Sequence, residues 1–113
     1  MWIGDNEGWL SIVKHLDKPN HLLVRARRRE HIEKIFPDAD IYENHKADYP
    51  YRADIPKSDV ISTMVERIDR IDYPNFKKSV KEQYYANALD SVWQIMYTYG
   101  LPYKQSRDWK WWK

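Results

Sequence analysis

The alternation of apolar and polar residues changes character several times along the chain, and each change marks an element. "GWLSIVKH", Gly8 to His15, is short and rich in β-formers, and it ends at the turn cluster "LDKPN" around Pro19 and Asn20. It predicts a first strand. "HLLVRARR" has a period of two, with Leu22, Val24 and Ala26 pointing one way and Leu23, Arg25 and Arg27 the other. That predicts a half-buried second strand. From Arg29 the spacing turns helical, with Ile32, Ile35 and Phe36 on one stripe and Pro37 as the stop.

"ADIYENH" predicts a weaker third strand, diluted by Asp40 and Asn44. "YPYRADIP" predicts a fourth, alternating Tyr49, Tyr51, Ala53 and Ile55 against Pro50, Arg52 and Asp54. Pro50 has no N–H to donate, so this strand should lie at an edge or begin there. In "PKSDV", Ser58 suits a helix N-cap and Asp59 the positive end of the helix dipole. Val60, Met64, Ile68 and Ile71 then form one buried stripe. Pro74 falls in the first turn of a short helix that points Phe76 and Val80 inward and Lys77, Lys78 and Lys81 outward. A last helix from about Glu82 to Tyr99 should bury Tyr85, Leu89, Val92, Met96 and Tyr99, and Gly100 with Pro102 should end it. The expectation is an α+β fold. Two β-β-α units form a mostly antiparallel four-stranded sheet with helices on one face, and C-terminal helices follow. Residues 1–102 form the single domain, and residues 103–113 a Trp-rich C-terminal tail.

Composition narrows the function. The chain of 113 residues has no cysteine, which removes disulfides, thiolate metal sites and cysteine nucleophiles and favours a reducing, cytoplasmic setting. The start, "MWIGDNEGWLSIV", lacks a basic leader before a continuous apolar run, and no stretch approaches the roughly 20 apolar residues of a membrane span. No membrane association is expected. Gly4, Gly8 and Gly100 are the only glycines, too few and too far apart for a dinucleotide fingerprint or a P-loop. The formal charge of +2 does not mark a nucleic-acid protein, so any such reading depends on where cations cluster.

Open-face placement is what makes the arginines candidates. Helices on one side of the sheet leave the other side to Arg25 and Arg27, and Arg52 joins them because its neighbours Tyr51, Ala53 and Ile55 are the apolar set of their strand. Three planar guanidiniums there would suit phosphate or carboxylate. The bland reading is a solvated face whose arginines pair with Asp40, Glu43 and Asp54. "RARRREHIEK" is the densest basic run, yet Glu30 and Glu33 interrupt it and no aromatic alternates with its arginines, so phosphate contacts are favoured over base readout. His15, His21, His31 and His45 lack metal-ligand spacing, and no serine sits in a nucleophile elbow. Neither a metal nor a cofactor is expected.

One phrase occurs twice: Asp48-Tyr49-Pro50 ahead of Arg52, and Asp72-Tyr73-Pro74 ahead of Lys77. Each tyrosine precedes a proline and is pushed to extended backbone, and each aspartate can cap nearby amides, so shared turn chemistry accounts for the repeat. It does not account for the cation that follows each. The segments "WLSIVKH", "LLVRARRREHIEKIF", "ADYPYRADIP", "IDYPNFKKSV" and "VWQIMY" resemble an uncharacterised family of small bacterial and phage-associated proteins, over nearly everything up to Gly100. That resemblance implies domain limits and brings no activity, cofactor or fold. The Trp-rich end departs from it.

Two functions from different classes follow. The first is a non-catalytic binding protein that engages an anionic partner, whether nucleic acid, nucleotide or acidic protein surface. It would use Arg25, Arg27, Arg52 and Lys77, supported by Asp48, Tyr49, Asp72 and Tyr73. The second is a phage- or mobile-element-type interaction or inhibitor protein that covers a protein partner with Trp and Tyr anchors, Trp109, Trp111 and Trp112 among them, or closes a homodimer. An enzyme is the third class. Only Asp48, Tyr49, Arg52 and Lys77 could serve it, and no activating partner is visible for them.

Overall fold

The computed structural model describes residues 1–105, with side chains through Leu101. Five strands form one sheet: β1 (Trp2–Asp5), β2 (Gly8–Lys14), β3 (His21–Ala26), β4 (Tyr42–Glu43) and β5 (Tyr51–Pro56). Their spatial order is β1-β2-β3-β5-β4, and every neighbouring pair is antiparallel. The helices are α1 (Arg29–Ile35), α2 (Lys57–Asp69), α3 (Phe76–Ser79) and α4 (Gln83–Gln105). The α+β class stands. The expected four strands become five, and the first unit is β-β-β-α, because the opening residues pair with β2 in a hairpin. Asp5 lies opposite Gly8 across that turn, and the Asp5 carboxylate accepts from the Glu7 N–H at 2.9 Å.

One core lies between the sheet and α1 and α2. Leu10, Ile12, Val24, Ala26, Ala53 and Ile55 from the strands meet Ile32, Ile35, Phe36 and Val60. These are the alternate strand residues and the helical stripe that the apolar pattern marks, so burial selected the register. Gly8 is required where α1 crosses β2: a Cβ there would stand 2.9 Å from the His31 backbone. A smaller cluster of Val80, Tyr85 and Leu89, with Phe76 and Ala86, docks α3 and the first turns of α4 against Trp9, whose side chain alternates with Leu10 and Ile12, so the helices do not all gather on one face as expected.

Helix boundaries or faces differ from expectation at α3, α2 and α4. Pro74 precedes α3 rather than entering its first turn; the helix begins at Phe76, and the Asn75 side chain caps it by accepting from the Lys78 N–H at 3.0 Å. Ser58 does not cap α2. The helix begins one residue earlier, and its Lys57 N–H is bound at 2.8 Å by the carbonyl of Asn20, which turns the chain at φ 60°. The α2 stripe is buried only at Val60 and half-buried at Met64, while Ile68 and Ile71 are 68% and 52% exposed. An ion pair takes the place of apolar contact there. Arg67 reaches Asp5 at 3.1 and 2.6 Å and Glu7 at 2.8 Å, tying the end of α2 to the β1–β2 turn.

The third correction concerns α4, which does not stop at Gly100 and Pro102 but continues to Gln105. Glycine costs a helix about 1 kcal/mol and proline about 3, and neither is an absolute stop. Of its expected buried face only Tyr85 and Leu89 are buried, with Val92, Met96 and Tyr99 exposed. Among the described residues, no helix is long and apolar enough to cross a membrane.

Candidate functional site

Strand alternation fixes what faces away from α1 and α2. Ser11, Arg25, Arg52 and Tyr42 are successive cross-strand partners, and Trp2 is the partner of Ser11 on β1. One row therefore crosses the whole sheet as Trp2, Ser11, Arg25, Arg52 and Tyr42, with roughly 5 Å between neighbouring strands. A parallel row holds Val13, Leu23 and Asp54. Arg27 continues the face just beyond β3.

Tyr49 lies among the arginines. Its ring is 4.8 Å from the Arg25 guanidinium carbon and 4.5 Å from that of Arg27, and its carbonyl accepts from Arg52 at 3.3 Å. The tyrosine is buried by this stacking. Arg27 forms a fork to Asp48 at 2.9 and 3.3 Å, which raises the Arg27 pKa and holds the Asp48 carboxyl below its ordinary value. Asp54 is committed as well, to His15 and Lys18 at 3.1 Å each and to the Tyr42 hydroxyl at 2.8 Å. Burial works to raise the Asp54 pKa, and its bonds from Tyr42 and Lys18, with the charge of His15, outweigh that and hold it low. Burial, reinforced by Asp54, raises the Tyr42 pKa.

Arg25 and Arg52 differ from Arg27. Among the described residues neither forms a salt bridge. Arg25 donates to the Ser11 hydroxyl at 2.6 Å, and its Nε is buried with no hydrogen-bond partner. The two are adjacent and half-buried with no carboxylate in direct contact, although the Arg25 charge reaches Asp48 and helps hold its carboxyl low, and a buried N–H without an acceptor costs about 1–3 kcal/mol. The expected pairing with Asp40, Glu43 and Asp54 therefore does not occur at these two residues. Arg52 sits beside Tyr42 instead, and Glu43 holds Arg29 at 3.8 Å and His45 at 3.0 Å.

The structure does not gather the remaining predicted residues here. Lys77 contacts α4, with its Nζ 3.2 Å from Asp90 and 4.1 Å from the Trp93 ring centroid. Tyr73 packs beside Phe76 and lines a groove along α2 on the other side of the sheet, and Asp72, exposed, precedes it. The two DYP phrases thus serve different surfaces. Asp48, Tyr49 and Arg52 stay close together, while Lys77 is engaged with Asp90 and Trp93. Trp109, Trp111 and Trp112 lie outside the described residues.

His31 belongs to the framework. Its Nδ1 accepts from the Trp9 N–H at 3.1 Å, and its ring packs 4.7 Å from Tyr85. Burial lowers its pKa against the opposing charge of Glu30. Tyr85 donates to the Asp5 carbonyl at 2.6 Å, and burial pushes its hydroxyl pKa well up. Both groups hold α4 to the sheet.

Two aromatic residues on the arginine face escaped the reading of the chain. Trp2 is 70% exposed, and Trp9 is its neighbour at 5.9 Å. The signal was available in "WIGDNEGW", two alternating runs around a turn. The aromatics that the arginine strand lacks in its own sequence are supplied by neighbouring strands. No protein-family model matches the chain, and no curated protein or solved structure matches it. The site therefore stands on its own geometry.

Proposed function

We propose that the sheet face carrying Arg25 and Arg52 binds the phosphate backbone of single-stranded nucleic acid. The observation that carries this reading is the adjacent pair of half-buried guanidiniums with no carboxylate partner, on a row that ends in exposed Trp2 and Tyr42. Guanidinium forks suit phosphate oxygens, and flanking aromatic rings offer stacking surfaces of little sequence preference. The Tyr49 ring packs on Arg25 and Arg27 while its carbonyl accepts from Arg52, and Arg27 with Asp48 fixes that segment to the end of β3. The chain acts as a binding protein in this reading, without a catalytic step or cofactor, and the absence of cysteine suits a reducing cytoplasm.

Fluorescence anisotropy with a labelled single-stranded oligonucleotide tests it. The wild type should bind at low salt, and Arg25→Ala/Arg52→Ala should weaken binding at least tenfold while leaving the circular-dichroism spectrum unchanged. Equal affinity in the double variant would refute the assignment. A second reading, contact with a protein partner through aromatic and apolar anchors, is favoured by a different observation: the exposed apolar residues of α4 and α2.

A further inference from the structure

The apolar spacing of α4 does not end where its contact with the body ends. Tyr85, Leu89, Val92, Met96 and Tyr99 alternate steps of four and three, the repeat of a helix that packs along its whole length. The first two are buried against the sheet. Val92 and Met96 continue the seam with exposed side chains, widened by Ile95 at 67% exposure, and Tyr99 keeps the same spacing one step further. From Ser91 to Tyr103 the sequence has no Asp, Glu, Lys, Arg or His. A surface helix normally carries charge on its outer side, and a helix lying on a lipid surface normally carries Lys or Arg there. This stretch has neither feature, so its spacing and chemistry suit an apolar protein surface.

Such a surface exists on the same chain. A groove of about 670 Å³ runs between α2 and the β1–β2 side of the sheet, lined by Ile3, Ile12, Val60, Met64 and Tyr73. Its rim is Ile61, Val65 and Ile68 of α2 with Ile71 just beyond the helix, each more than half exposed. Ile61 to Ile68 spans about 10 Å at 1.5 Å per residue, and the stripe from Val92 to Tyr99 spans about 10 Å, so one fits along the other.

We infer that two copies of this chain pair by exchanging α4, each laying its Val92–Tyr99 stripe in the α2 groove of the other. Two-fold symmetry fills both grooves and leaves neither stripe exposed, which closes the assembly at two. The exposed parts of these eight side chains, at about 200 Å² for a fully exposed large residue, amount to roughly 900 Å² per contact. Two contacts then meet the roughly 1,200–2,000 Å² that a stable interface buries.

The absence of native cysteine makes the exchange directly testable, because Ile95→Cys and Val65→Cys each introduce a single thiol at an exposed position. Sedimentation equilibrium of the full wild-type chain from about 1 to 200 μM should give a dimer, and Ile95→Glu and Val65→Glu, with circular dichroism unchanged, should each give a monomer. In an equimolar mixture of the two cysteine variants, a short bis-maleimide should join Ile95→Cys chains to Val65→Cys chains in preference to like chains. A wild type that stays monomeric at every concentration overturns the pairing, as do cross-links mainly between like chains or a ladder of ever-larger species. A monomer that floats with anionic phosphatidylserine vesicles would assign the stripe to lipid and overturn it equally.

Discussion

Replacing Gly8 with alanine should destabilise the domain through one identifiable clash. The new Cβ would lie 2.9 Å from Cα, Cβ and O of His31, about 0.6 Å inside the roughly 3.5 Å at which carbon atoms rest comfortably. Two of those three atoms belong to the backbone, so no rotamer change relieves the contact and α1 must move away from β2. Ile32 and Ile35 of α1 are buried in the core, and overpacking of this kind costs about 1–3 kcal/mol. Taking 2 kcal/mol against a total stability of roughly 5–15, urea unfolding should show a lower midpoint at unchanged slope. Tm should fall by about 8 °C. An alanine variant within 0.5 kcal/mol of the wild type, or more stable than it, would refute the claim that close approach of α1 fixes this position. Gly100→Ala provides the contrast, because nothing lies within 4 Å of its added Cβ and the residue is helical. There the same substitution should raise the circular-dichroism signal at 222 nm, since alanine favours a helix over glycine by about 1 kcal/mol.

Other perturbations read separate parts of the structure. Arg67→Met should cost about 2–4 kcal/mol in urea unfolding, because Arg67 and Asp5 are each only 16% exposed and the carboxylate would lose its cation; a loss below 0.5 kcal/mol would reduce the link between α2 and the β1–β2 turn to a surface contact. Stability should also fall as pH drops below about 6.5. His31 has a lowered pKa in the folded state, so the unfolded chain binds the proton more readily, and the hydrogen bond from Trp9 requires an unprotonated Nδ1. Urea midpoints between pH 5 and 7.5 should show a slope that His31→Gln diminishes, and an unchanged slope would contradict this assignment.

Much of the fold was legible because burial and periodicity agree. Leu22, Val24 and Ala26 alternate with arginine, and the same alternation places Arg25 and Arg52 across from one another on the face opposite α1 and α2. What escaped depended on partners distant in sequence. β1 has only four residues and exists through its hairpin with β2, so its Trp2 joined the site unannounced. The α2 and α4 stripes were read as buried because apolar spacing records that a face needs a partner without recording whether the domain itself supplies one. Ile68, Val92 and Met96 are exposed for that reason. Gly100 and Pro102 resemble a helix stop, and a propensity cost of a few kcal/mol does not fix a boundary.

The salt dependence of oligonucleotide binding tests the central claim most directly. Logarithms of the binding constant, measured from about 50 to 200 mM NaCl, should fall linearly for the wild type, and the slope should shrink by about 1.4 in Arg25→Ala/Arg52→Ala, since each phosphate contact on a single strand contributes about 0.7. A wild-type affinity indifferent to salt, or a slope that survives both substitutions, would contradict the assignment of phosphate binding to this face.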